Sequence, residues 1–99
     1  MMRKFNLSNA ADKDLKQIWQ YTLETWSREQ ANKYVSGLLA ACADIAQSPE
    51  SLGQSYDYVR VGYRKYPWGK HVIFYLIQDD GTVLIVRILH QRMDYERHL

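Results

Sequence analysis

The sequence has few of the residues and apolar runs that are typical of disulfide-bonded, fibrous or membrane-spanning proteins. Its single cysteine, Cys42, excludes an intrachain disulfide, and five glycines and two prolines are too few for a collagen-like or low-complexity chain. The longest apolar run, residues 72–77, is far shorter than the roughly 20 residues that cross a bilayer. The first residues lead into no apolar stretch typical of a signal peptide. We therefore predict a cytoplasmic protein without membrane association.

Motifs that hold cofactors are also absent from the sequence. The Cys and His residues lack the spacing of a zinc site, and no glycine-rich phosphate loop or nucleophile signature is present. We predict neither a metal nor another cofactor. The 13 basic and 11 acidic residues nearly balance, so overall charge does not indicate a nucleic-acid-binding protein. With 99 residues, 46% of them hydrophobic, the chain suits one domain spanning residues 1–99.

The first half of the chain predicts a short strand and two helices. An alternating segment, residues 3–7, ends at Ser8 and Asn9, which are good helix N-caps. Apolar residues then recur at helical spacing, which predicts a helix over residues 9–26. The segment from Ser27 to Gln30 matches a capping box and begins a second helix, which Ser48 and Pro49 end. The two form a helical hairpin.

The second half predicts three strands. Residues 59–66 are followed by a turn at 67–69, and residues 71–78 form the next strand. Asp80-Gly81 is a strong hairpin signal, with a return strand over residues 83–89. The order is β-α-α-β-β-β, an α+β fold in which the helical hairpin packs on a mainly antiparallel four-stranded sheet.

The two central strands are apolar on both faces. Residues 72–77 and 83–86 contain no polar alternation, although successive side chains point to opposite faces of a sheet. The predicted helical hairpin covers only one face of the sheet. Two interpretations of the other face remain open. The twisted sheet and the carboxyl-terminal tail cover it, or it is an exposed apolar patch that needs a partner protein. We favour the patch, and expect the isolated chain to be poorly soluble.

Several segments, in this order along nearly the whole chain, resemble the ParE toxins of bacterial toxin–antitoxin modules, within the RelE/ParE superfamily. They are Ser8-Asn9-Ala10-Ala11 with Asp14, Leu15, Ile18, Tyr21 and Trp26, then Pro49-Glu50-Ser51-Leu52-Gly53, Gly62-Tyr63-Arg64-Lys65-Tyr66-Pro67, Gly69-Lys70-His71-Val72-Ile73-Phe74-Tyr75 and Arg87-Ile88-Leu89-His90.

The resemblance implies a toxin that inhibits DNA gyrase and is neutralised by a ParD-like antitoxin in a hetero-oligomer. Nucleic acid would be contacted only indirectly, and we favour inhibition by binding over catalysis. One alternative is a RelE-like, ribosome-dependent messenger endoribonuclease, for which the superfamily pattern indicates a partly matching set: Arg64, Lys65, His71, Arg92 and Tyr95. The other alternative is a non-toxic module that binds the antitoxin.

The residues predicted to bind partners come mainly from the strands and the tail. They are Arg60, Arg64, Lys65, Trp68, Lys70, Tyr75, Arg87, His90, Arg92 and Tyr95. The four cations between positions 60 and 70 are either a solvated strand edge or a docking patch.

Structural roles compete with partner binding at several positions. A stabilising ion pair of Arg87 with Asp94 or Glu96 is the simpler interpretation of that charge in an apolar strand. His71 and His90 suit structural positions on their strands. Trp19 and Trp26 are expected in the helix core, and Trp68 is the better candidate for an exposed aromatic anchor.

Overall fold

The computed structural model describes residues 5–99, and its fold is α+β as predicted. Strand β1 (Phe5–Leu7) leads into helices α1 (Asn9–Thr25) and α2 (Arg28–Gln47), followed by β2 (Gln54–Ser55), β3 (Tyr63–Trp68), β4 (His71–Ile77), β5 (Val83–His90) and the one-turn helix α3 (Tyr95–His98). The sheet order is β1-β5-β4-β3-β2. β1 is parallel to β5 and the other pairs are antiparallel, so the sheet is mixed.

Both predicted helix starts are confirmed in atomic detail. The Ser8 hydroxyl oxygen accepts a hydrogen bond from the Ala11 amide at 3.0 Å, and the Ser27 hydroxyl oxygen accepts one from Gln30 at 3.1 Å. Each bond satisfies an amide of the first helical turn that has no partner within the helix. The hairpin packs on the sheet through one apolar stripe from each helix. Its buried residues include Leu15, Ile18, Leu38, Cys42 and Ile45.

The strand boundaries needed three corrections. The sheet has five strands, because β2, two exposed residues with no apolar pattern, pairs with Arg64 and Lys65. β3 begins at Tyr63, not at residue 59, because the Asp57 carboxylate accepts the Gly62 amide at 2.7 Å and closes a turn. β3 also includes Pro67, which lies beyond the reach of β2 and has no strand on its outer side. Of the predicted first strand, residues 3 and 4 lie outside the described residues.

The prediction of a bare apolar face is wrong for the centre of the sheet. Val72, Phe74 and Leu89 point away from the helices and are at most 5% exposed. The Tyr56 and Tyr95 rings both pack on Phe74, with ring centroids 5.6 and 5.0 Å from the Phe74 centroid. The carboxyl-terminal tail and the loop before β3 therefore close this face within the chain. The tail, sparse in apolar residues, still supplies Tyr95 and Leu99 to this second core.

The remainder of that face is less completely covered. Leu76 and Leu84 lie opposite each other on β4 and β5, at the hairpin end of the face, and both are half-buried. The apolar surface that a partner could contact there is thus much smaller than the sequence pattern suggested.

We expect Tyr95→Ala to lower the free energy of unfolding by about 2 kcal/mol, because it removes a ring that packs on Phe74. Chemical denaturation measures the change. The matched control is Glu96→Ala, an exposed neighbour in the same helical turn, which should change stability by less than about 0.5 kcal/mol. Equal stability of the Tyr95→Ala protein and the wild type would show that the tail does not seal the face.

Candidate partner-binding groove

Two predicted contact residues hold a loop rather than a partner. The Tyr75 side chain is completely buried, and its hydroxyl donates to the carbonyl oxygen of Pro49 at 2.7 Å. The half-buried Arg64 guanidinium donates to the Tyr75 hydroxyl and to carbonyl oxygens of loop 49–53. The prediction that Tyr75 contacts a partner is wrong because solvent does not reach it. Arg64 is an internal clamp whose Nε and Nη2 already donate within the chain.

The four cations of the basic window do not form one patch. The Lys65 ammonium lies 4.8 Å from the centroid of the Tyr56 ring, on the Phe74 side of the sheet. Arg60 is exposed on the turn before β3, whereas Arg64 reaches the loop after α2. Lys70 lies in the β3–β4 turn and lines a separate groove. Alternation along β3 separates these charges, since neighbouring residues of a strand project from opposite faces.

Trp68 is not an exposed anchor. Its half-buried ring lies edge-on to Tyr34, with centroids 5.1 Å apart. A Cβ at Gly37 of α2 would lie only 2.5 Å from this ring, so the helix needs glycine there to approach β3 so closely. The exposed tryptophan is Trp26, which caps the carboxyl end of α1 with 71% of its surface exposed. The prediction that Trp26 lies in the core is wrong because it lies past the packed helical turns.

A groove of 770 Å³ runs between α1, the start of α2, and the ends of β4, β5 and the tail. We call it the α1–β5 groove. Its apolar lining comes from Ile18, Tyr21, Trp26, Ile88, Leu89 and Met93. Its titratable lining comes from Asp14, Tyr34, Lys70, His71, Arg87, His90 and His98, and the remaining positions are Gln17, Thr22, Thr25 and Gln30.

The walls of this groove expose large side chains. Tyr21 and Trp26 are 68% and 71% exposed, and Met93 is 37% exposed. Exposed aromatic and methionine side chains around a concave surface are typical of protein-binding sites. Three predicted partner-binding residues, Lys70, Arg87 and His90, line the groove. Tyr21, Trp26, Met93 and His98 were missed as site residues. An aromatic at Tyr21, outside the apolar stripe, was the one signal in the sequence.

An ion pair fixes one wall of the groove. The Arg87 guanidinium donates two hydrogen bonds to the Asp14 carboxylate, at 2.8 and 2.9 Å, and the same carboxylate accepts the Ile88 amide at 2.9 Å. The hydrogen bonds that Arg87 donates to the Asp14 carboxylate raise the pKa of Arg87. Arg87 also donates to the carbonyl oxygen of His98 at 3.0 Å. The prediction that Arg87 pairs with Asp94 or Glu96 is therefore wrong, because α1 offers a buried, bidentate partner.

His71 has a defined hydrogen-bond partner. The Tyr34 hydroxyl lies 2.7 Å from His71 Nδ1 and accepts the Lys70 amide at 3.0 Å. This hydrogen bond engages Nδ1 of His71, and Nε2 has no partner among residues 5–99. Burial, with a smaller contribution from nearby His90, lowers the pKa of His71 to about 4. His71 is therefore neutral at neutral pH.

His90 resembles His71 in that its Nδ1 is hydrogen-bonded and its Nε2 has no partner among the described residues. The two imidazoles lie edge-on with centroids 5.3 Å apart, and His90 Nδ1 accepts the Arg92 amide at 3.1 Å. Both Nδ1 atoms are thus engaged, and because Nδ1 of His90 accepts, the His90 ring hydrogen lies on Nε2. A general base needs an available lone pair, so His90 in this form is better suited to binding an anion than to removing a proton.

The residues of the ribonuclease alternative do not converge. Arg64 holds loop 49–53, Lys65 and Tyr95 lie on the Phe74 side of the sheet, and His71 lies in the groove. The fifth, Arg92, is exposed in the turn after β5. Phosphodiester cleavage needs its base, acid and cations around one phosphate. This set is spread over both faces of the sheet.

The described part of the chain offers neither a metal site nor a membrane-spanning helix. Within residues 5–99, no three His, Cys, Asp or Glu side chains come together as a potential metal site. No helix in that part of the chain has the length and apolar character needed to cross a membrane. Burial raises the pKa of the Cys42 thiol to about 12, so this cysteine is not a reactive thiolate.

Comparison with known proteins gives a consistent result. The family model described as ParE toxin of type II toxin–antitoxin system, parDE, matches residues 5–95. The chain is 40% identical over 99 residues to Toxin ParE1 of Mycobacterium tuberculosis, covering all of both chains. It is 40% identical over 98 residues to Toxin ParE1 of Caulobacter vibrioides, covering 99% of each.

Solved structures share the fold. A chain from the chromosomal ParDE toxin–antitoxin system of Pseudomonas aeruginosa matches with a TM-score of 0.77 and 18% identity, over 90% of this chain and 96% of that one. A chain from the RelBE2 toxin–antitoxin complex of M. tuberculosis matches with a TM-score of 0.70 and 18% identity, over 92% of this chain and all of that one.

We expect Asp14→Ala to lower the free energy of unfolding by about 3 kcal/mol, because it leaves Arg87 without its buried partner. Urea denaturation monitored by tryptophan fluorescence measures the loss. Asp12→Ala is the matched control: Asp12 pairs with Lys16 on the exposed side of the same helix, and its loss should cost less than about 1 kcal/mol. Similar losses in the two variants would contradict a special role for the Asp14 pair.

The His71 environment predicts a pH effect on stability. Its pKa is about 4 in the folded chain against 6.5 without the fold, so between these values the unfolded state binds a proton that the folded state excludes. The free energy of unfolding should therefore fall as pH decreases from about 6.5 to 4. His71→Gln should flatten this part of the curve while keeping an acceptor for Tyr34. An unchanged slope in the variant would show that His71 does not cause the effect.

Proposed function

Because this chain belongs to the family of ParE toxins of type II toxin–antitoxin systems, we propose that it inhibits DNA gyrase by binding and that a ParD-like antitoxin neutralises it. Neutralisation by an antitoxin is supported by the two structural neighbours, since both come from toxin–antitoxin systems. The gyrase half rests on the likeness to ParE toxins.

The observation that supports inhibition by binding, rather than by catalysis, is the α1–β5 groove. It combines exposed aromatic side chains with two imidazoles whose Nδ1 atoms are already hydrogen-bonded. Such a surface suits a partner that inserts apolar side chains and offers hydrogen-bond acceptors. The groove is therefore the proposed antitoxin-binding site, in a complex that contains at least one copy of each protein.

Seven of the ten predicted contact residues divide into two groups under this proposal, since Arg64, Trp68 and Tyr75 pack within the chain. Lys70, Arg87 and His90 belong to the groove, although Arg87 already holds Asp14. Arg60, Lys65, Arg92 and Tyr95 lie outside it, and as target contacts they stay predictions. Tyr95 also seals the second core, so removing residues 92–99 would disturb folding as well as any contact with gyrase. Substitution of the exposed Arg92 is the cleaner test of target contact.

Purified toxin should block supercoiling by gyrase and trap cleaved DNA, and added antitoxin should reverse both effects. A translation assay run in parallel separates the alternatives. Cut messenger RNA with unaffected gyrase would support a ribosome-dependent nuclease and contradict the proposal. Activity in neither assay, with antitoxin binding retained, would indicate a non-toxic binding module.

We expect Trp26→Ala to weaken antitoxin binding about tenfold or more, because large exposed aromatics dominate such interfaces. Calorimetry with the co-produced antitoxin measures the Kd. Since the side chain is mostly exposed, the thermal unfolding temperature should change little. Leu39→Ala, an exposed apolar position on α2 outside the groove, serves as the control and should bind like the wild type. Unaltered affinity of the Trp26 variant would remove the rim of the groove from the interface.

A further inference from the structure

The α1–β5 groove holds a cluster of hydrogen-bond donors that match an acidic side chain. We propose that Lys70, His71 and His90 bind a carboxylate of the antitoxin segment that docks in this groove. This inference rests on the proposed function, since it specifies how the antitoxin is recognised. It depends on the ring nitrogens that remain free, on the charge of the lining, and on its apolar content.

The free nitrogens of the two imidazoles are open to solvent. Nδ1 of His71 is used by Tyr34, and Nδ1 of His90 by the Arg92 amide. Neither Nε2 has a partner among the described residues, yet in that part of the chain no buried side-chain nitrogen lacks a hydrogen bond. Both Nε2 atoms therefore keep some contact with solvent. Since both rings line the groove, each offers one free nitrogen to whatever enters it, and that of His90 carries a hydrogen.

The charges of the lining leave one free cation. Asp14 is the groove's carboxylate, and its two oxygens are occupied by Arg87 and the Ile88 amide. The Lys70 ammonium is not in an ion pair with any of residues 5–99, and its backbone is held in place by Tyr34. With Asp14 and Arg87 neutralising each other, the lining keeps the Lys70 ammonium as its unpaired charge, together with the free imidazole nitrogens. A carboxylate is the group that both pairs with an ammonium and accepts an imidazole N–H, and charge-assisted hydrogen bonds of this kind are strong.

The rest of the lining favours a peptide over a nucleic acid. Ile18, Tyr21, Trp26 and Met93 provide apolar contacts around the donors. Nucleic-acid grooves, by contrast, need several cations for successive phosphates. The partner also cannot pair with the backbone at Ile88 of β5, because Asp14 already takes that amide. Side chains therefore carry the recognition, with one acidic group at the donors and apolar groups on either side.

The test measures the Kd of the co-produced antitoxin for toxin variants. We expect Lys70→Glu to weaken binding more than tenfold and Lys70→Gln to weaken it less. His90→Leu should weaken binding about tenfold, whereas His90→Gln, which keeps an amide donor, should lose less. Lys13→Glu makes the same charge change on an exposed position of α1 outside the groove and should leave the Kd unchanged. Thermal unfolding of each variant separates lost binding from lost folding.

Imidazole resonances provide a second measurement that needs no variant. In nitrogen-labelled toxin, antitoxin should shift the Nε2 signals of His71 and His90, and a single-stranded oligoribonucleotide should not. Normal antitoxin affinity of the Lys70→Glu and His90→Leu variants would overturn this inference and leave the proposed function standing. Failure of the wild type to bind antitoxin would overturn both. An equal loss in Lys13→Glu, or imidazole shifts caused by the oligoribonucleotide alone, would also overturn the carboxylate assignment.

Discussion

The contact on which the rest of this structure depends is the one between Asp14 and Arg87. It joins residues 73 positions apart in sequence: a carboxylate on α1 and a guanidinium on β5. The same carboxylate occupies the Ile88 amide, at a part of β5 beyond the reach of β1, so the strand edge is closed by a side chain. Arg87 extends the connection to the tail through His98. Helix, sheet edge and tail are thereby fixed relative to one another, and these are the walls of the groove.

The two faces of the sheet have different tasks as a result. On the helix face, α1 and α2 bury a continuous apolar core and leave a groove open beside β5. On the other face, Tyr56, Tyr95 and Leu99 close over Phe74. A chain of this size has little surface to spare, and the tail that completes the second core is also tied to the groove by Arg87. The same tail therefore contributes to the second core and to one wall of the groove.

The histidines show how neighbouring groups limit the chemistry of a side chain. By residue type alone, His71 and His90 could be acid, base, metal ligand or structural element. The Tyr34 hydroxyl and the Arg92 amide each engage one ring nitrogen, which leaves one free nitrogen on each ring in the same groove. Burial keeps the pKa of His71 far below neutrality, so its imidazole is uncharged at neutral pH.

The sequence by itself determined both long helices, their N-caps, the β4–β5 hairpin and the order of all elements except β2 and α3, because these follow from local spacing and turn chemistry. It also brought Lys70, His71 and His90 forward as candidates. The tertiary structure alone decided what each contacts. Arg87 pairs with Asp14 and not with the acidic residues near it in sequence. Trp26 is exposed, whereas Trp68 packs against α2. The polar tail covers an apolar face of the sheet. These contacts form between residues that are far apart in sequence. A local sequence pattern does not specify which distant residues will meet.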